Sequence, residues 1–386
     1  MNILFISDSY LHAMNGIVNH ILLVKKELQK RNHHVTILAP KSAKKNTDPD
    51  VLCMPSMKFF LRPQDRLTMP FNKKIEKYLL NSPIDIIHCH QGLLAFMGTK
   101  IANKKEIPQI ITSHTSIEEY FSWLFPWLQD YSVTITRRLT QMYFNQYDLA
   151  IAPSNKAENV LKRAHVSVPI KLLHNGIKLE NFQNANPQLF LKKYSLNARD
   201  PLLVLVGRID IGKNVHIAIH AMKKVVREIP NARLAIIGDG NLRKNIEKLV
   251  RKLGLDKNVF ITGFISLELV ASANQAAKIA LMTSDSDTLP TVAIEAITCG
   301  KPMVAVKDEA INAIVKNKIN GFLTAKDPAK IANAIITLLK NHKLRKKYGD
   351  ASLKMAEKFS IQKYIDKLEN IYQEIIDQKK SKTQLL

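Results

Sequence analysis

Short apolar runs alternate with amphipathic helical stretches along nearly the whole chain, and this alternation limits its fold more than any other feature. In the first half the runs are Ile3–Asp8, Val35–Pro40, Ile84–His90, Gln109–His114, Leu149–Ser154 and Ile170–Ile177. In the second half they are Leu202–Arg208, Arg233–Gly238, Val259–Phe264, Ile279–Ser284, Pro302–Val306 and Gly321–Thr324. Strands this apolar are buried on both faces, and separating helices supply the crossovers that parallel pairing needs. The expectation is α/β architecture with doubly wound parallel sheets. The first helix shows the pattern: Ile17, Ile21, Val24 and Leu28 form one apolar face, and Lys25, Lys26, Lys30 and Arg31 crowd its C-terminal half, where the helix dipole favours cations.

At 386 residues the chain exceeds what one core usually serves, so two domains are expected. Their limits read as 1–180 and 198–360. The break falls in the polar stretch Lys178–Pro201, which carries Asn-Pro and Arg-Asp-Pro. A last amphipathic helix, Ile361–Lys379, has its apolar face on Tyr364, Leu368, Ile371, Tyr372 and Ile375, and it can pack back on the first domain. The three cysteines, Cys53, Cys89 and Cys299, have neither metal nor redox spacing and suit a reducing, cytoplasmic setting. The opening Met1–Asp8 reads as a buried strand, not a signal peptide, and no apolar run approaches a membrane span. A net charge of +24 draws the chain towards lipid headgroups, nucleic acid or phosphorylated substrates, although solvated lysines alone would give the same total.

Doubly wound sheets bind ligands at the carboxyl ends of their strands. The candidates for chemistry are therefore Asp8, His114, Arg208 and Asp239 at strand ends, with Asp287 in its loop. The stretch Ser284–Ala296 carries two carboxylates, Asp287 and Glu295, eight positions apart around a helix start. Pro290 fits the first turn, where a missing N–H costs nothing. Leu289, Pro290, Thr291 and Val292 frame the free amides that would hold an anion. Glu295 sits about one turn inside, too deep to cap. The layout suits a ligand with phosphate in the middle and hydroxyl groups at both ends, as in a nucleotide-sugar.

Gly207-Arg208-Ile209-Asp210-Ile211-Gly212-Lys213-Asn214 follows a strand, and its two cations can neutralise a diphosphate, Arg208 as a fork and Lys213 as a point charge. It lacks the glycine spacing of a Walker A loop. Asn15-Gly16 opens the first helix, where Gly16 lets backbone approach a phosphate. Gly238-Asp239-Gly240-Asn241-Leu242-Arg243 lacks the third glycine of a dinucleotide turn. Asp285 and Asp287 resemble a metal-binding pair, but without a third ligand nearby the reading is metal-free. His114 ends its strand, where an imidazole can donate to a sugar hydroxyl or brace a leaving phosphate; His88 and His90 end the neighbouring one. No Gly-x-Ser-x-Gly elbow, His-Glu-x-x-His helix or nucleic-acid-binding motif appears.

Taken together these pieces resemble the retaining nucleotide-sugar glycosyltransferases of family four, with the two-domain GT-B fold, over almost the whole chain. The family's carboxylate–seven residues–carboxylate signature reads here Asp287 to Glu295, followed by Ala296-Ile297-Thr298-Cys299-Gly300-Lys301-Pro302. Its Gly-Arg…Lys element matches Gly207, Arg208 and Lys213, and its Asn-Gly-Ile segment matches Asn175-Gly176-Ile177. The opening Asp8-Ser9-Tyr10…Asn15-Gly16-Ile17 and the strand ending His114-Thr115 look like the branch that glycosylates diacylglycerol or similar lipids. The first carboxylate is usually Glu in that family; here Asp287 is one methylene shorter.

The resemblance implies two Rossmann-like domains with their sheets facing a crevice, the first binding acceptor and the second binding donor. It implies that Glu295 holds the ribose hydroxyls and Asp287 the donor sugar. Arg208, Lys213 and the Gly16 amide would neutralise the diphosphate, and His114 would lie beside the transferred sugar. The expected reaction is metal-independent retaining transfer of a hexose, glucose first, from a UDP-sugar, with a GDP-sugar as the alternative donor, and no other cofactor. The expected acceptor is a membrane lipid such as diacylglycerol. Basic aromatic segments, Ser56–Arg62 and Met69–Leu80, and the apolar patch Phe121–Leu128 would sit at an anionic membrane surface. A soluble sugar, polysaccharide or protein acceptor is the rival reading, and a non-catalytic polyanion binder the more distant one.

Overall fold

Two parallel sheets carry the chain, one per compact unit. The computed structural model of the protein describes residues 1–9, 16–41, 48–59, 62–115 and 129–384. The first unit is Met1–Gly176 with Ile361–Leu386, and the second is Ile177–Ser360. In chain order the first unit holds β1 (Asn2–Ile6), β2 (His34–Pro40), β3 (Val51–Met54), β4 (Ser56–Phe59), β5 (Arg62–Thr68), β6 (Ile86–Cys89), β7 (Gln109–Thr112), β8 (Leu149–Ala152) and β9 (Ile170–Leu172). The second holds β10 (Leu202–Val206), β11 (Arg233–Ile237), β12 (Val259–Gly263), β13 (Ile279–Met282), β14 (Met303–Val306) and β15 (Gly321–Thr324).

The sheet orders are β3-β2-β1-β6-β7-β8-β9 and β12-β11-β10-β13-β14-β15. Both sheets are parallel throughout, and each reverses its winding once, between β1 and β6 and between β10 and β13. Such reversal points leave a gap between diverging loops at the carboxyl edge, where ligands settle. Each strand's alternation feeds two cores. Ile3 and Phe5 face the first helix, Gly16–Lys30, whereas Leu4 and Ile6 face the helix Ala95–Lys105. In the second sheet Leu203 and Leu205 face the helices Val215–Glu228 and Pro328–Lys340, whereas Leu202 and Val204 face Leu267–Ala276 and Thr291–Thr298.

The polar stretch 178–201 lies wholly inside the second unit. Its short helices, Glu180–Gln183 and Pro187–Lys193, bury Phe182 and Phe190 in that unit's core, so the crossing falls earlier, at Gly176–Ile177. The two crossing segments run side by side. Ile177 bridges Ser360 and donates its amide to the Phe359 carbonyl at 2.8 Å. Gly176 lies so close to the start of the last helix that an added Cβ would meet Ile361 Cα at 2.8 Å.

That last helix runs Ile361–Gln384 and packs on the first unit beside the first helix. Ile361, Tyr364, Ile365, Leu368, Ile371, Tyr372, Ile375 and Ile376 are all buried, spaced three and four apart as one face of a helix requires. Arg31 reaches Glu369 at 2.6 Å and Asp366 at 2.7 Å from the first helix's end.

The structure adds detail to the sequence reading in two places and changes it in a third. β3 is an edge strand too short to stand out. The basic aromatic segments Ser56–Arg62 and Met69–Leu80 fall on an antiparallel ribbon, β4 with β5, and on the helix Lys73–Asn81, which is capped by the Asn72 side chain. Pro290 stands at the N-cap of its helix, one position before the first turn. Phe60, Leu61 and the Phe121–Leu128 patch lie outside the described residues. Among the described residues no helix is long and apolar enough to cross a membrane.

Because Leu368 is fully buried between the last helix and the sheet, Leu368→Ala should cost about 2–5 kcal/mol of stability. Urea unfolding monitored by circular dichroism measures it, and a loss under about 0.5 kcal/mol would contradict the packing.

Candidate active site

In the second unit the loops after β10 and β13 are tied together chiefly by the Asn214 side chain, with the Asp285 amide adding a bond to the Gly212 carbonyl at 3.3 Å. Asn214 precedes the helix Val215–Glu228 in a left-handed conformation, φ 53°. Asparagine tolerates that region better than most residues because its amide bonds locally. Its Nδ2 donates to the Gly212 carbonyl at 3.1 Å, the Thr283 carbonyl at 3.2 Å and Asp285 Oδ1 at 2.9 Å. Thr283 Oγ1 returns a bond to the Lys213 carbonyl at 2.8 Å. Gly212, at φ 86°, lies against Ser286, whose Oγ would stand 2.7 Å from any Cβ there.

This weld sets Lys213 beside Asp287, with Nζ 2.6 Å from Oδ1. Asp287 Oδ2 is buried and accepts no hydrogen bond. Arg208 stands more open, its side chain 55% exposed and its Nε 3.4 Å from Asp210. The helix Thr291–Thr298 starts without a capping side chain at Pro290, leaving its first-turn amides for an anion. Asp285 bonds Lys326 and Asn214, whereas Asp287 pairs with Lys213. Burial pushes the Asp285 carboxyl up, but bonds from Lys326 Nζ at 2.7 Å and from Asn214 prevail and hold it below its usual range. No group of three His, Cys, Asp or Glu among the described residues could hold a metal ion.

Glu295 follows one turn into the helix, half-buried and with no side-chain hydrogen bond or ion pair. Burial pushes its carboxyl up to about 7. Thus Asp287 Oδ2 and Glu295 both keep acceptor oxygens unengaged, one on each side of an uncapped helix start. Leu289 is half-buried and Pro290 buried between them. Asp239 is committed elsewhere. It takes the Gly240 amide at 2.8 Å and Arg243 at 2.8 Å, so the turn after β11 is braced by its own side chains.

In the first unit Asp8 is also committed. Its carboxylate receives the Leu93 amide at 2.5 Å and the Leu94 amide at 3.0 Å, anchoring the turn that leads into the helix Ala95–Lys105. Gly16 is the first residue of its helix, and His20, one turn on, has its ring 5.8 Å from that of His114. His114 lies two residues past β7 and is buried. Its Nε2 is 3.0 Å from His90 Nδ1. His88 lies beneath, between Tyr372 Oη and Thr112 Oγ1, each at 2.7 Å. Burial, reinforced by His114, lowers His88 to about 3, and burial lowers His114 to about 4; all three rings are neutral at pH 7. Gly16 and His114 therefore belong to the first unit, and Arg208, Lys213, Asp287, Leu289 to Val292 and Glu295 to the second. Sequence reading missed Asn214, Thr283 and Lys326. The Lys213-Asn214 pair at a helix start was the available signal for the first; Lys326 follows a different strand and left none.

Glu295 gives a pH test. The unfolded carboxyl ionises near 4.5 and the folded one near 7, so between these values the folded state binds more protons and stability falls as pH rises. Glu295→Gln removes that slope. It should match the wild type near pH 4 and exceed it by about 3 kcal/mol at pH 8, measured by urea unfolding at both. An equal difference at the two pH values would refute the buried-carboxylate account.

The chain matches two family models. Residues 14–181 match the family described as Glycosyltransferase Family 4, and residues 188–355 match Glycosyl transferases group 1. It is 23% identical to the alpha-monoglucosyldiacylglycerol synthase of Acholeplasma laidlawii over 401 aligned residues, 99% of each chain. Among solved structures it resembles the sucrose-phosphate synthase of Thermosynechococcus elongatus, with TM-score 0.78, 19% identity and 98% and 99% of the two chains covered. It equally resembles Anabaena HepE in complex with UDP and glucose, with TM-score 0.78, 18% identity and 97% and 100% covered. The two models together take in nearly the whole chain, one for each unit, and the chain belongs to the glycosyltransferases of the GT-B fold, with a family 4 first half and a group 1 second half.

Proposed function

We propose that the protein is a retaining hexosyltransferase that moves glucose from UDP-glucose to a membrane lipid such as diacylglycerol. The observation that carries the donor half is the pair of unengaged carboxylate acceptors, Asp287 Oδ2 and Glu295, flanking an uncapped helix start with Lys213 and Arg208 alongside. A nucleoside diphosphate sugar offers ribose hydroxyls, two phosphates and sugar hydroxyls in that order. Glu295 accepts from the ribose and Asp287 from the sugar. Lys213, Arg208 and the amides of Thr291 and Val292 meet the diphosphate, joined by the Gly16 amide. A UDP-glucose donor is supported by the likeness to HepE, whose structure holds UDP and glucose, with a GDP-sugar as the alternative.

In the reaction the bond between the anomeric carbon and the β-phosphate oxygen breaks as positive charge builds on the sugar ring. The acceptor hydroxyl attacks from the same face, its oxygen bonds to the anomeric carbon, and its proton passes to the departing phosphate. Lys213, Arg208 and the helix amides stabilise the charge gathering on that phosphate. Asp287 holds Lys213 in place for this through Oδ1 and accepts from the sugar through Oδ2. His114 lies beside the transferred sugar. The positive groups do this work without a divalent ion, and Asp285 and Asp287 are already matched to Lys326 and Lys213.

The lipid acceptor is supported by the full-length likeness to a glucosyldiacylglycerol synthase and by one surface of the first unit. Met57, Met69, Phe71 and Tyr78 are all more than half exposed around the exposed lysines Lys73, Lys74 and Lys77. Apolar side chains ringed by cations suit the interface of an anionic bilayer, giving a peripheral protein on the cytoplasmic side. A soluble acceptor is the second reading, favoured by the likeness to a sucrose-phosphate synthase.

Arg208→Ala and Lys213→Ala should each reduce kcat/KM by about 2–4 kcal/mol in transition-state terms, and together by less than the sum, because they serve one charge. Turnover of UDP-glucose with diacylglycerol vesicles, with products identified by mass, tests both donor and acceptor; near-normal turnover in Arg208→Ala removes the clamp. Activity lost to EDTA and restored by magnesium or manganese would make Asp285 and Asp287 ligands after all. Replacing Lys73, Lys74 and Lys77 with Gln should weaken flotation with anionic vesicles roughly a hundredfold, at about 1 kcal/mol each. Binding indifferent to these changes, to salt and to lipid charge would move the soluble acceptor to first place.

A further inference from the structure

His90 touches no position where substrate is placed, yet among the described residues it makes the one side-chain hydrogen bond on His114. Its Nδ1 is 3.0 Å from His114 Nε2, and the two rings lie nearly parallel, 21° apart with centroids at 5.2 Å. The other face of His90 stacks on His88 at 4.3 Å, and the Phe5 ring meets it edge-on at 5.0 Å. His88 is itself fixed from both sides, by Tyr372 of the last helix and by Thr112. The ring of His90 is therefore held in place, and its proton is the remaining freedom.

That freedom is limited by an asymmetry. A neutral imidazole has one N–H and one bare nitrogen. His90 Nε2 is buried and has no hydrogen-bond partner among the described residues. A proton on Nε2 would be a buried N–H with no acceptor, a rarer and costlier state than a bare lone pair in the same place. The proton belongs on Nδ1, where His114 Nε2 accepts it. His114 then has its lone pair on Nε2 engaged, and its own proton sits on Nδ1, which has no protein partner among the described residues.

We infer that His90 is a positioning residue that fixes the tautomer of His114, so that His114 presents Nδ1–H as a hydrogen-bond donor and not as a proton acceptor. The inference rests on the reading that places His114 beside the transferred sugar, and it deepens that reading. His114 donates to a sugar hydroxyl or phosphate oxygen as charge builds there. It is not the base that takes the acceptor's proton, which leaves that proton to the departing phosphate. His20, whose Nε2 lies 3.1 Å from Tyr364 Oη, presents its ring towards His114 without a hydrogen bond and does not compete for Nε2.

The full chain, labelled with ¹⁵N-histidine, reports the tautomer directly in long-range ¹H–¹⁵N spectra at pH 7, with the His114 signal assigned by its loss in His114→Gln. The wild type should show His114 protonated on Nδ1 and bare on Nε2. His90→Leu should move that proton towards Nε2 and lower kcat for UDP-glucose turnover about tenfold, the worth of one good hydrogen bond, with KM for the donor little changed. His90→Asn should restore both, because the asparagine Nδ2–H takes the place of the imidazole Nδ1–H. A wild-type His114 protonated on Nε2 overturns the inference without any variant. So does a His90→Leu protein that keeps wild-type kcat, or a His90→Asn protein that folds yet behaves as His90→Leu. Failure of the wild type to use UDP-glucose at all would count against the proposed function, while the spectrum still decides the tautomer.

Discussion

The second unit's site depends on a weld between the loops of two neighbouring strands. β10 and β13 pair in parallel, but their chains wind away from each other, so nothing in the sheet itself holds the loops that follow together. Asn214 does so with three donated bonds to the two loops, and Thr283 returns one. The ion pair of Lys213 with Asp287 depends on this join. So does the angle at which the helix Thr291–Thr298 presents its first amides, since the Asp287 loop leads straight into it. Preorganised charge is effective because it need not be rearranged when the reaction begins. Here the arrangement is carried by short polar side chains on backbone, not by the flexible lysine.

The first unit solves the corresponding problem in a different way. At its own reversal point, between β1 and β6, Asp8 braces the turn after β6, and stacked neutral imidazoles fill the space over the neighbouring strands. Three histidines this close together would repel if charged, and burial already disfavours their protonated forms. Two tyrosines from the last helix complete the polar contacts from behind. The result is a rigid polar wall inside an apolar core, where every ring has its orientation set by a neighbour.

Much of this was legible in the sequence, for physical reasons that differ by residue. The strands of both sheets show because burial on two faces demands continuous apolar runs, and β3 escaped because an edge strand needs less. Asp287 and Glu295 drew attention as two carboxylates around a helix start, and Arg208 and Lys213 as a pair of cations in the loop after a strand. The family models and the fold support that reading of the chain, and the roles given to these residues remain the proposal. Asn214 was hidden because its importance lies in a backbone conformation and in partners some seventy positions away. Asp8 and Asp239 looked equal to the others in sequence; only contacts show that backbone amides and Arg243 have already claimed them. The first unit's crossing was misplaced for a similar reason, since the polar stretch 178–201 conceals Phe182 and Phe190.

The last helix returns to the first unit after the whole second unit has been made. The face of β1 and of the first helix that it covers, and the two tyrosines that hold His20 and His88, are supplied by residues beyond 360. Until that helix has docked, one side of the first unit's sheet is bare, and the histidine wall lacks the two tyrosines that brace it. An apolar strip left uncovered in this way is prone to association with other chains until the last helix arrives. A product cut short before the last helix would not be half an enzyme with one working lobe; it would be a second unit joined to a first that has lost its back wall.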